Sequence, residues 1–120
     1  MPDPSISNFN NIISKIIKKS LFTERQIQII LNQAASEKIV FPISKGAYFR
    51  QVKQSREKVL GLLYSIILLK GIGVITQDDV DVITKLSEQV SVIQNSDIFL
   101  EKEEEIMYVI DEVINRACKV

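Results

Sequence analysis

No histidine occurs in the 120-residue chain, and that absence removes the commonest general base, the commonest transition-metal ligand and every His-dependent triad. Cysteine is scarce too. Cys118 stands alone, so an intramolecular disulfide and a cysteine-based zinc finger are excluded, and a reducing, cytoplasmic setting is expected. With no histidine to activate it, Cys118 reads as incidental rather than as a nucleophile. The usual acid–base and nucleophilic apparatus is missing. The chain is therefore expected to bind rather than to catalyse, with no cofactor and no metal.

Long apolar runs are also few. Met1-Pro2-Asp3-Pro4 lacks the basic start and apolar core of a secretory signal. Residues 59–75 alone suggest a membrane span, but Gly61, Lys70, Gly71 and Gly73 interrupt them, and they fall short of the roughly 20 apolar residues required. No membrane association is expected.

What is present is an ordinary globular mixture, 46% apolar and 25% charged, enough to bury a core and far from the composition of disorder. The length fits one domain. Net charge is zero, yet residues 1–75 carry 11 Lys/Arg against 4 Asp/Glu, or +7, while residues 76–120 carry 4 against 11, or −7. Such asymmetry hints at a side that faces a polyanion. It equally suits two halves that attract one another, or attract a second copy head to tail.

Apolar spacing along the chain is helical almost throughout. Ile6, Phe9, Ile12, Ile13, Ile16 and Ile17 predict a first helix over about residues 5–19, with Lys15, Lys18 and Lys19 toward its C-terminal end. Thr23 with Gln26 three residues on forms a capping box for a second helix that carries Ile27, Ile30 and Leu31 and ends near Glu37. Residues 38–43 read as a connector with a short extended segment, because Ile39, Val40 and Phe41 are β-prone and Pro42 disfavours helix before it.

Ser44 then caps a long third helix that lacks strong breakers until Gly71. Its first half is amphipathic, with Tyr48, Val52, Ser55 and Val59 on one face; Tyr48 is expected in the core and Phe49 at its border. Over residues 59–69 it turns apolar almost all round, through Leu60, Leu62, Leu63, Ile66, Ile67 and Leu68. That half should be surrounded, as a central core helix or as a subunit interface. Thr76 with Asp79 caps a fourth helix, Asn95-Ser96-Asp97 marks a break, and a fifth helix runs to about residue 117. On it Phe99, Ile106, Met107, Ile110, Val113 and Ile114 face inward, while Glu101, Glu103, Glu104 and Glu105 are expected to face water rather than hold a cation. Asp78, Asp79 and Asp81 suit a helix start for dipole reasons alone.

The segment richest in chemistry is residues 44–58, with five basic residues and one acidic. A capped helix that opens on small residues and continues with Arg, Gln and Lys on its outer side fits a major groove, where the helix tip must approach base edges. Arg50 would read guanine and Gln51 or Gln54 adenine, while Lys45, Lys53, Arg56 and Lys58 would hold phosphates. The alternative is that these charges simply solvate the outer face of a core helix.

The run Thr23-Glu24-Arg25-Gln26, followed by Ile43-Ser44-Lys45-Gly46 and then Tyr48, Arg50, Val52, Lys53 and Arg56-Glu57-Lys58, resembles the helix-turn-helix of sigma-factor region 4 and related regulators over residues 23–58. The resemblance implies a recognition helix at residues 44–58. Residues 38–43 leave no room for a separate scanning helix. The second helix would have to serve, across a connector longer than the usual three or four residues.

The expected fold is thus all-α: about five helices, one of them long and central, with a helix-turn-helix-like head over residues 1–58 and a helical dimerisation body over 59–120. The expected function is a small DNA-binding transcription regulator or chromatin-associated protein. It would act on double-stranded DNA as a homodimer, paired through residues 59–69 and the C-terminal helices. The alternative is a protein-interaction or assembly module that binds no nucleic acid.

Overall fold

A computed structural model describes residues 9–94 and 100–120. They form five helices and no strand: α1 (Asn11–Lys19), α2 (Glu24–Ala34), α3 (Lys45–Gly71), α4 (Gln77–Ile93) and α5 (Leu100–Ala117). The protein is all-α, with α3 as its long central helix.

Each helix start among α1 to α4 is made by a side-chain cap. Asn10 accepts from the Ile13 amide at 2.9 Å and donates its own amide to the Ile93 carbonyl at 2.8 Å, so it both starts α1 and ties it to the end of α4. This cap moves the start of α1 from about residue 5 to Asn11 and leaves Phe9 outside the helix, because a satisfied asparagine overrides the apolar spacing upstream. The part of the expected first helix at residues 5–8, the expected break at 95–97 and Phe99 lie outside the described residues.

Thr23 and Gln26 complete the capping box of α2. The helix stops at Ala34 rather than near Glu37, since the Asn32 side chain takes up the backbone of Ile39 and draws the chain away. Residues 38–43 form an irregular connector with no strand pairing. Ser44 caps α3 through the Ala47 amide. Twenty-seven residues later the helix closes at Gly71, and Gly73, at φ +84°, turns the chain through a left-handed conformation that glycine alone adopts without strain. Thr76 and Asp79 then form a second complete capping box.

Two packing centres result. α2 lies along the first half of α3, and α1 bridges from α2 to the pair α4 and α5. The sealed apolar residues are Ile12 and Ile17 of α1, Ile29 of α2, Phe41 of the connector and Met107 of α5. None comes from α3. Its one buried residue is Ser55, and among the described residues α3 packs against no helix but α2. The apolar half at residues 59–69 is therefore not a core helix: Tyr64 is 72% exposed, Ile67 70% and Leu68 60%. Of the two expectations for this half, core helix or subunit interface, the core helix fails because α4 leaves the Gly73 turn toward α1 and α5 instead of folding back along α3. Covering one leucine or isoleucine is worth about 1.5–3 kcal/mol, so this half of the helix withholds much of the stabilisation that its composition offers.

Candidate nucleic-acid interface

The α2–connector–α3 unit is held together by one buried asparagine. The Asn32 amide donates to the Tyr48 hydroxyl at 2.8 Å and to the Ile39 carbonyl at 3.3 Å, while its oxygen accepts from the Ile39 N–H at 2.9 Å. The Tyr48 hydroxyl in turn donates to Gln33 Oε1 at 2.8 Å. Phe41 is buried beside the Tyr48 ring, with centroids 5.4 Å apart, and the Arg25 guanidinium lies over the Phe41 ring, 5.4 Å from its centroid. A ten-residue connector is thereby clamped where a helix-turn-helix uses a tight turn, and the first turn of α3 is fixed relative to α2. Sequence reasoning missed Asn32. Its signal was a polar residue three places after Ile29, on the apolar stripe of α2.

Counting 100° per residue, Lys45, Phe49, Lys53 and Arg56 fall within about 80° of one another on α3, and all four are exposed. Arg50 and Gln54 continue this surface along the next strip and are also exposed. Among the described residues, Lys45, Arg50, Lys53 and Arg56 have no acidic partner. One ion pair does link the basic and acidic halves, Lys19 with Asp111 at 2.8 Å, but it lies on α1 and α5. Mutual neutralisation of the halves does not reach α3.

Two of the seven sequence candidates sit elsewhere. Gln51 is half-buried with its Oε1 shielded and unbonded, at the seam with α2. Lys58 is half-buried too, and its ammonium donates to Gln26 Oε1 at 2.8 Å. The structure therefore brings Lys45, Arg50, Lys53, Gln54 and Arg56 together on open surface and places Gln51 and Lys58 against α2. Ser44 and the amides of the first turn of α3 set the positive end of the helix dipole beside Lys45.

Phe49 is 53% exposed and stands edge-on to Tyr48 at 5.7 Å. With Val40 and Phe41 it lines a groove of about 550 Å³, with Lys38 and Lys45 also in its wall. Glu103, expected in water, is buried on α5, where the Asn11 amide straddles its carboxylate oxygens at 3.3 and 3.4 Å. It thus belongs to the α1–α5 contact. Among the described residues no cluster of metal-ligating side chains is present, and no helix is long and apolar enough to cross a membrane. No protein family, no curated protein and no solved structure matches the chain.

Proposed function

We propose that this protein is a small DNA-binding regulator, acting in transcription or chromatin organisation, which lays the first half of α3 against a duplex. The observation that carries the reading is a set of four cations on one helix, Lys45, Arg50, Lys53 and Arg56, left without acidic partners among the described residues in a chain whose positive and negative charges balance. Phosphates are the ligand such a surface suits, with Lys45, Lys53 and Arg56 gripping the backbone and Arg50 and Gln54 placed to meet base edges. Gln51 and Lys58 support the helix from behind. The protein works as a homodimer in this reading, since α3 carries its reading half and an uncovered apolar half on one rod.

Duplex binding across a range of salt concentrations tests this. Three phosphate contacts per head give a slope of log K against log salt of about −3 per head. Arg50→Ala/Lys53→Ala should weaken binding, relax the base preference and flatten that slope by about one. Equal binding by wild type and variant refutes the reading.

A second reading has one observation in its favour. Val40, 88% exposed, and Phe49 present apolar surface at the rim of the head groove, which suits a protein partner better than a phosphate backbone. An assembly module of that kind would bind no duplex at physiological salt.

A further inference from the structure

We infer that a second copy of this chain covers the apolar half of α3, the two helices crossing antiparallel about a two-fold axis near Tyr64. From Val59 to Leu69 no charged residue interrupts the helix, and the exposed apolar positions Leu60, Leu63, Tyr64, Ile67 and Leu68 fall on one strip about 140° wide at 100° per residue. An uncharged aliphatic strip complements itself, as a two-fold interface requires.

The area fits that occupant. The whole chain exposes 9107 Å². A compact chain of 13.6 kDa exposes about 6,600 Å², so this one carries about 2,500 Å² more surface than its size requires, enough to supply one partner's share of a stable interface, about 800 Å². Residues 1–8 and 95–99, which lie outside the described residues, offer only Met1, Ile6, Ile98 and Phe99 as large apolar side chains, too few to cover the strip.

Electrostatics select the direction. Parallel pairing would set two basic half-helices side by side. Antiparallel pairing separates them beyond the Debye length, about 8–10 Å, and opposes the helix dipoles. With the crossing at Tyr64, the end of the partner helix at Gly71 falls opposite Glu57, so the basic positions before Glu57 project past it. The two Lys53 residues then stand about 33 Å apart at 1.5 Å per residue, about one duplex turn. Only this spacing rests on the DNA reading; the pairing stands without it.

Sedimentation equilibrium of the full chain, without DNA, reads the assembly directly: the expected mass is twice 13.6 kDa, and Ile67→Glu should shift it to 13.6 kDa. Because that variant can lose its fold with its partner, cysteine pairing gives an independent readout in a Cys118→Ser background. Under mild oxidation Tyr64→Cys should cross-link to itself, and Leu60→Cys should cross-link to Leu68→Cys when the two are mixed. A monomeric wild type overturns the inference, whether it stays free or sediments with neutral phosphatidylcholine vesicles. So does a dimer in which Leu60→Cys and Leu68→Cys each pair only with themselves. A monomer that still binds duplex sinks the pairing and spares the DNA reading; a dimer that binds none does the reverse.

Discussion

The Lys58 ammonium of α3 donates to Gln26 Oε1 of α2 at 2.8 Å, and the same Gln26 oxygen accepts from the Thr23 N–H that opens α2. A cation that sequence spacing assigns to a phosphate thus finishes the cap of the neighbouring helix. Lys58→Met should therefore cost about 1–2 kcal/mol of stability, because the bond is charge-assisted and half-buried. Duplex affinity measured at a temperature where the variant is folded should keep its salt slope, whereas Lys53→Ala flattens it by about one. Thermal unfolding together with the salt titration checks both halves of that statement.

Removing the clamp separates architecture from contact. Asn32→Ala deletes three hydrogen bonds that fix Ile39 and Tyr48, at an expected cost of about 2–3 kcal/mol. Tyr48→Phe deletes only the hydroxyl and should cost about 1 kcal/mol. Both leave every exposed cation of α3 in place. Chemical denaturation should rank wild type above Tyr48→Phe above Asn32→Ala, and the reverse order of the two variants contradicts the clamp.

How far the sequence discloses this fold depends on where competing interactions lie. Ser44, Thr23 and Thr76 announce their helices because a cap and its partner stand three residues apart, a purely local device. The partners of Asn32 and Glu103 are not legible for the opposite reason: Asn32 stands out as a polar residue on an apolar stripe, but Tyr48 and Asn11, which the two side chains bind, lie 16 and 92 positions away. The surface of α3 is half legible. Helical periodicity separates its outer cations from Tyr48 and Ser55, but Lys58 and Gln51 lie at the margin of the stripe, where only the position of α2 decides which way a long side chain lies. The uncovered state of residues 59–69 was legible as a choice between core and interface, and the direction that α4 takes from Gly73 settles it against the core.

Glu103 holds a buried carboxylate whose described side-chain partner is the Asn11 amide. Asn11→Ala strands that charge and should destabilise the α1–α5 contact by about 1–3 kcal/mol. Replacing both partners, as Asn11→Ala/Glu103→Met, should recover most of the loss, since an apolar residue on the Met107 stripe needs no partner. A double-mutant cycle by thermal unfolding measures the coupling. Additive losses would show that the two side chains act independently.

Asp79 provides a pH signature. The Lys119 ammonium donates to its carboxylate, and the Thr76 amide and hydroxyl add two further bonds, so its pKa falls from the ordinary 3.8 to about 2. Between those values the unfolded chain binds the proton and the folded chain does not, so this contribution to stability rises with pH across the interval. It is fully present above about pH 5, shrinks as the pH falls through about 4 and is gone near 2. Asp79→Asn removes the titrating group while keeping an oxygen to cap α4. The gap in unfolding midpoint between wild type and Asp79→Asn should therefore be constant from about pH 7 to 5 and close toward pH 2. Added salt should narrow it at every pH, because the Lys119 side chain is about half exposed and its attraction is partly screened. A gap that persists unchanged to about pH 2.5 would show that the Lys119 pairing does not hold the carboxylate ionised in the folded chain.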